Sequence, residues 1–441
     1  MAHRRVELDP SALPGVVANL AGARAGKSVA WLDGDGASSL GRFSYVGVGQ
    51  TRALGRWDEV RAVLDGLAPI ASASEPDVVR SAPSSSLALA YDLAWSMPIG
   101  IRRPQRLDRL ANAAGAWLLV HEATIALDHD AQQAWLIGED EAAIDRLERS
   151  IREPHAPGRA TLDAIEAEAR ETHRAAIERA LEDIGRGDVY QVNLARRFVA
   201  TLHGDPLALA LAMREASPVP LGAYLEGPPG SNQTLVFRTM ERFLSFDAQT
   251  RMLETRPIKG TRPREAGGDA QAGAALLADE KELAEHAMIV DLMRNDLGRL
   301  AVPGTVRVRE AMRVEPYARL SHLVSIVEAR AREGLSLGAM LEATFPPGSV
   351  TGAPKLAAIE RIEAYERFPR AFYTGAVGHV ARDGSLALAV AIRTAQIAGD
   401  QITYFAGGGI VEASVPEREV DETELKAKVL FDAREILRRL H

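Results

Sequence analysis

The chain has no cysteine at all and only six lysines among its 441 residues. Without cysteine there can be no structural disulfide, thiolate zinc site, iron–sulfur cluster or cysteine nucleophile. No apolar run approaches the roughly 20 residues of a membrane-spanning helix. The first residues, MAHRRVELDPS, carry no apolar stretch of the secretory kind, so the cytoplasm is the expected compartment. No basic block offsets the formal net charge of −8, which argues against general nucleic-acid binding. A hydrophobic content of 46% with 25% charged residues excludes a disordered chain.

The scarce lysines are informative. They are Lys27, Lys259, Lys281, Lys355, Lys426 and Lys428, which leaves 46 arginines of the 52 basic residues. Arginine cannot act as a nucleophile or proton shuttle at neutral pH, whereas lysine can. Each lysine therefore marks a candidate site for a compact ammonium or a free amine. Lys27 and Lys281 sit among polar residues and read as chance.

Residues 1–150 mix short apolar runs with turn clusters and read as an N-terminal subdomain. Residues 115–137 read as a hairpin around Leu127-Asp128-His129-Asp130. DGDGAS at 33–38 is a turn; it lacks the twelfth-position ligand of a calcium loop. A polar, Pro/Gly-punctuated stretch at 151–163 marks the boundary to a second region, 165–441. There the spacing predicts helices at 171–184, 206–215, 271–300, 336–343, 353–364 and 419–440. Strands are expected at 189–200, 234–237, 243–247, 251–254, 305–309, 321–328, 375–382, 385–393 and 401–405. The hairpin pairs point to antiparallel sheets and an α+β fold.

Five constellations have the residue types for chemistry. EKELAEHAMIVDLMRNDL and REVDETELKAKVLFDAREIL each place two glutamates one turn apart, Glu282 with Glu285 and Glu419 with Glu422. Periodicity puts Glu285 on the stripe of Met288, Ile289 and Leu292, and Glu422 on that of Leu425 and Val429. Two such ladders would suit Mg²⁺, which takes one or two carboxylates and is completed by an anionic substrate. Solvated helix faces, with the stripe misphased by one position, are the alternative. RPIKGTRPR at 256–264 sets Lys259 among arginines, where neighbouring positive charge favours a free amine; a plain anion-binding loop is equally open. FPPGSVTGAPK at 345–355, with Ser349, is a hydroxyl-bearing turn feeding a helix and is not a Walker loop. Arg393 ends an apolar strand, and Gly407-Gly408-Gly409 is either an amide nest for an anion or a flexible loop. His322 alternates onto the face of Val324 and Ile326, as a core histidine does.

Together and in this order, DVYQVNLARRF, PIKGTRPR, EHAMIVDLMRNDLGR, SVTGAPK and DETELKAK resemble the chorismate-utilising enzymes. That family includes the component I chains of anthranilate synthase and aminodeoxychorismate synthase, and the isochorismate and salicylate synthases. The resemblance is strong over 165–441 and weaker before it, in SSLGRFSYVG. It implies antiparallel sheets packed as a sandwich with outer helices, as in anthranilate synthase component I. It also implies that Glu285 and Glu422 hold Mg²⁺, with Glu282 and Glu419 behind them, and that the metal holds the ring carboxylate of chorismate. Tyr373, Arg393 and the Gly407–Gly409 loop would take the enolpyruvyl carboxylate. Gly260, Thr261 and Lys426 would line the substrate site, Glu241 would be the general acid, and His322 would lie beside the ring.

Two positions select the branch within the resemblance. Gln191 stands where isochorismate-type members carry a lysine that activates water; glutamine matches the members that use ammonia. Lys259 gives P-I-K-G-T, the reading of aminodeoxychorismate synthases, where anthranilate synthases have P-I-A-G-T. The implied reaction is attack of Lys259 on C2 with loss of the C4 hydroxyl, then addition of ammonia at C4 with release of the lysine. The product would be 4-amino-4-deoxychorismate, a precursor of 4-aminobenzoate and folate. Family glutaminases use a cysteine nucleophile, so a separate glutamine amidotransferase subunit is expected to supply the ammonia. Family motifs run nearly to His441, so no appended pyridoxal-phosphate lyase domain is expected.

Several residues depart from the family pattern: Thr239-Met240 for Ser-Pro, Pro347 for glycine, Gly408 for alanine, Leu425 for asparagine, and His379 for an aromatic. No tryptophan-inhibition motif is evident near Trp31. Anthranilate synthase component I, or a chorismate-binding chain without catalysis, are the competing expectations.

Overall fold

The computed structural model describes residues 1–22, 26–72, 74–101, 115–263, 269–316 and 320–440; at 261–263, 269–272, 281 and 320 only the backbone is described. Alternating apolar residues build a long antiparallel ladder. Strand Gln191–Gly204 pairs with Gln401–Ile410, and pairing continues through Thr394–Ala398, Gln233–Thr239, Leu221–Glu226, Ser28–Gly34 and Phe43–Leu54 to Ala116–Asp128. From Ala116–Asp128 it runs on through Pro83–Leu89, Ala376–Ala381, Leu386–Val390, Arg242–Asp247 and Met252–Arg256 to Leu320–Arg330.

The two halves of this ladder pack face to face. Leu32, Leu225, Leu235 and Phe237 from the first half meet Trp117, Phe372, Val377 and Ala389 in one buried cluster. Phe372 lies against Trp117 with ring centroids 4.9 Å apart. Helices cover the outer faces. Leu13–Gly22, Glu141–Arg152, Pro206–Ala216 and Pro416–Arg439 pack on the first half, and Trp57–Asp65, Glu280–Gly298 and Leu337–Thr344 on the second. The expected α+β sandwich with outer helices is therefore the fold. Both halves take strands from before residue 150 and after 165, through Ser28–Gly34 on Leu221–Glu226 and Pro83–Leu89 on Ala376–Ala381.

Two elements differ from expectation. The helix expected over 271–300 is two helices, Asp269–Leu277 and Glu280–Gly298. The Asp279 carboxylate accepts the backbone N–H of Glu282 at 3.2 Å and caps the second helix, an N-cap that periodicity alone passes over. The glycine triplet is not a loop either. Gly407, Gly408 and Gly409 lie within strand Gln401–Ile410, opposite Ala195, Leu194 and Asn193. The strands approach so closely that a Cβ on Gly407 would stand 2.3 Å from the Leu194 carbonyl oxygen. The DGDGAS segment does turn, with the Gly36 N–H bonded to the Gly41 carbonyl at 2.9 Å. Among the described residues, no helix is long and apolar enough to cross a membrane.

Candidate active site

A cavity of about 570 Å³ opens where the end of strand Gln401–Ile410 meets helices Glu280–Gly298 and Pro416–Arg439. Glu241, Lys259, Gly260, His322, Ser349, Tyr373, Arg393, Gly407, Gly409 and Lys426 line it, together with Glu282, Glu285, Glu419 and Glu422. Residues far apart in the sequence thus meet in one place. Gln191 and Gly408 are not in the lining. Gln191 is fully buried behind Gly409, where a Cβ would lie 2.8 Å from its Nε2. A Cβ on Gly408 would lie 3.3 Å from Glu422 Oε1 and 3.4 Å from Glu419 Oε2. The backbone of Thr261 pairs with His322, but its side chain lies outside the described residues, as does all of Arg264.

One wall carries an acid and an amine. Glu241 is buried, and its backbone N–H donates to Thr239 Oγ1 at 3.1 Å, so the Thr239-Met240 departure supplies its own support for the turn. Burial pushes the Glu241 carboxyl up to about 7, opposed by a hydrogen bond from Ser349 and by the charge of Lys259. Lys259 stands on strand Ile258–Pro263, and its Nζ is 3.2 Å from where a Gly409 Cβ would be. Of the neighbouring arginines, Arg256 is turned to Glu315 at 2.6 Å. His322 donates from Nδ1 to the Gly260 carbonyl at 3.1 Å, and burial lowers its pKa to about 4, so the imidazole is neutral at pH 7. It is both a buried residue and a cavity wall.

A second wall carries an arginine and a tyrosine. Arg393 has φ of 49°, and its Nη1 donates to Ser217 Oγ at 2.9 Å. Tyr373 stacks on Phe405 with centroids 5.4 Å apart. The buried Arg370 donates to the carbonyls of Asn193 (2.6 Å) and Val350 (3.2 Å) and to Thr374 Oγ1 (3.0 Å), with Glu366 balancing its charge. One guanidinium thus fixes the Ser349 turn, the Asn193 strand and the Tyr373 segment together. Lys355 is structural. Its Nζ donates to Asp296 at 2.7 Å and to the Thr344 carbonyl at 2.6 Å, joining the turn to helix Glu280–Gly298.

The acidic ladders face the cavity, but the phase read from periodicity is off by one. The buried stripe of Glu280–Gly298 is His286, Ile289, Met293 and Leu297, and that of Pro416–Arg439 is Val420, Thr423, Ala427 and Leu430. Glu285, Glu422, Leu425 and Val429 lie beside those stripes, on the cavity side. An apolar wall and a packed core leave the same periodic mark. The donor set is all carboxylate oxygen, which fits a hard divalent cation in kind. The described residues show no group of three or more His, Asp or Glu drawn together as ligands. Glu422 is engaged by Lys426 at 2.5 Å, and Lys426 also donates to the Gly407 carbonyl at 2.9 Å.

Asn193, Ser217, Tyr404 and Phe405 also line the cavity and were not singled out in the sequence. Asn193 sits two residues after Gln191 on the same strand face, a period-2 signal that points to it. Ser217 and Tyr404 carry no such signal.

Residues 38–432 match the family model described as chorismate binding enzyme. The chain is 41% identical over 307 residues to anthranilate synthase component 1 of Thermus thermophilus, covering 68% of this chain and 65% of that protein. It is 37% identical over 308 residues to aminodeoxychorismate synthase component 1 of Escherichia coli, covering 69% and 67%. The aligned stretches thus span only about two thirds of these relatives. In structure it superposes on anthranilate synthase component I of Streptococcus pneumoniae with a TM-score of 0.75 at 25% identity, covering 89% of this chain and 93% of that one. Sequence match, sandwich and cavity agree, and the chain belongs to the chorismate binding enzyme family.

Proposed function

We propose that this chain aminates chorismate at C4, giving 4-amino-4-deoxychorismate, with ammonia supplied by a separate glutamine amidotransferase. The observation that carries this reading is Lys259: an amine in the cavity wall, beside a carboxyl that burial holds near pH 7. The neutral amine bonds to C2 as the ring double bonds shift and the C4–O bond breaks. Glu241 gives its proton to the departing hydroxyl, which leaves as water. Ammonia then bonds to C4, the double bonds shift back, and the C2–N bond breaks to restore Lys259. The Glu241 carboxylate takes up the proton released by the added ammonia. Two allylic displacements replace one difficult step.

Arg393, with Tyr373, orients the enolpyruvyl carboxylate, and Gly260, Ser349, Gly407, Gly409 and Lys426 complete the pocket, while Thr261 and Gly408 support it through the backbone of their strands. His322, neutral, lies beside the ring. Gln191 cannot serve as a base toward water, which leaves ammonia as the nucleophile. Glu285 and Glu422, backed by Glu282 and Glu419, would hold Mg²⁺, which when bound supplies positive charge to the ring carboxylate. The chain has no cysteine and so cannot release ammonia from glutamine through a thiolate. The cytoplasm remains the compartment this chemistry suits.

Identity to a relative named anthranilate synthase favours a second reading, amination at C2 with loss of pyruvate. Incubation with chorismate, Mg²⁺ and an ammonium salt separates the two. The proposal expects a non-aromatic amine that a lyase converts to 4-aminobenzoate; fluorescent anthranilate as the product overturns it. Lys259→Ala is expected to abolish amination and, by mass spectrometry, any chorismate adduct.

A further inference from the structure

Three neighbouring strands place Asp33, Gly222 and Arg238 side by side. Gly222 is opposite Asp33 on one edge and opposite Arg238 on the other. The Arg238 side chain crosses over Gly222, where a Cβ would stand 2.0 Å from its Nη1. It reaches Asp33 Oδ2 at 2.6 Å, an ion pair with both partners buried. A buried guanidinium needs such a counter-charge. The rest of the fork is spent on the cavity wall: Nε donates to the Ser217 carbonyl at 3.2 Å and Nη2 to the Val219 carbonyl at 3.0 Å. Ser217 Oγ in turn accepts from Arg393, and the Arg238 backbone N–H donates to the Arg393 carbonyl at 3.3 Å. That second contact pins a non-glycine residue at a φ of 49°.

We propose that Asp33 is a positioning residue of the cavity, acting through Arg238 on Ser217 and thereby on Arg393. It rests on the reading of the cavity as a chorismate site. An N-terminal strand, with Asp33 lying 205 positions before Arg238, thus sets the aim of the anion-binding arginine. Gly222 is part of the device because only glycine leaves room for the guanidinium to cross.

The test measures chorismate binding by calorimetry without ammonia, so the identity of the product does not enter. Asp33→Asn and Gly222→Ala are each expected to weaken chorismate binding about tenfold. With activity as the readout, KM for chorismate rises by a similar factor while kcat and the KM for ammonia change less than about twofold. Asp33→Glu recovers part of the loss. Combined with Ser217→Ala, Asp33→Asn adds little, because both cut the same connection. Lowered thermal stability with unchanged chorismate binding, or fully additive losses in the double variant, would overturn the proposal. If Asp33→Asn does not fold, Gly222→Ala and Asp33→Glu carry the comparison. Failure of the wild-type chain to bind chorismate would instead overturn the functional reading, and this inference with it.

Discussion

Gln191 and Gly409 meet across the strand pair so closely that a methyl group on Gly409 would lie 2.8 Å from the Gln191 amide nitrogen. The same methyl would lie 3.2 Å from the Lys259 amine. Gln191 is fully buried, and neither polar atom of its side chain has a hydrogen-bond partner among the described residues. Gly409→Ala should therefore displace the amine and the carboxamide together. We expect kcat/KM to fall about 100-fold, as for a misplacement of about 1 Å, with a loss of only about 1 kcal/mol in stability. Steady-state kinetics beside thermal melting checks this; an active Gly409→Ala enzyme would sink the placement of Lys259.

Glu241 ties activity and stability to pH in opposite ways. Its folded pKa is raised to about 7 from an ordinary carboxyl value, chiefly by burial. The native state therefore holds this proton more tightly than the unfolded chain. Its contribution to stability is full below the unfolded pKa and is lost as pH rises toward 7, by about 3 kcal/mol. As a general acid it works while protonated, so kcat/KM should decline above about pH 7. Glu241→Gln should abolish turnover yet melt higher than wild type at pH 8. A melting temperature at pH 8 that is equal or lower contradicts the buried-acid assignment.

Lys355 gives a contrasting outcome. It is bound to Asp296 and to the Thr344 carbonyl, with both charged side chains mostly buried. Lys355→Ala leaves a buried carboxylate without its partner and should cost about 3–5 kcal/mol. Chorismate affinity of the protein that still folds should stay within about twofold of wild type. Denaturant titration and calorimetry together test the separation.

The acidic ladders predict a metal requirement. Chelation with EDTA should abolish amination, and added Mg²⁺ should restore it. Glu422→Gln should raise the Mg²⁺ concentration for half-activity at least about tenfold. Full activity after exhaustive chelation would remove the metal from the reading.

Much of this was legible in the chain, and the misses have physical causes. Antiparallel pairing followed from alternation and hairpin turns, and the lone Lys259 among arginines did mark the cavity. Periodicity could not separate a core stripe from a cavity wall, so Leu425 and Val429 read as core although Leu425 is 68% exposed. Glycine is rare inside strands, so Gly407–Gly409 read as a loop; the close approach to Leu194 that requires it is a tertiary fact. The role of Ser217 was hidden because it depends on Arg238 and Arg393, and nothing in its neighbours' pattern announces that contact.

Strand Gln191–Gly204 finds its longest pairing with Gln401–Ile410, some two hundred residues further along the chain. During synthesis that edge must wait on the order of ten seconds or longer before its partner exists. Loop closure of that span is entropically slow, and an unpaired β edge is a template for wrong pairing. The ladder that holds Gln191 beside Gly409 therefore cannot close before residues 401–410 have been made, however early the first strand emerges.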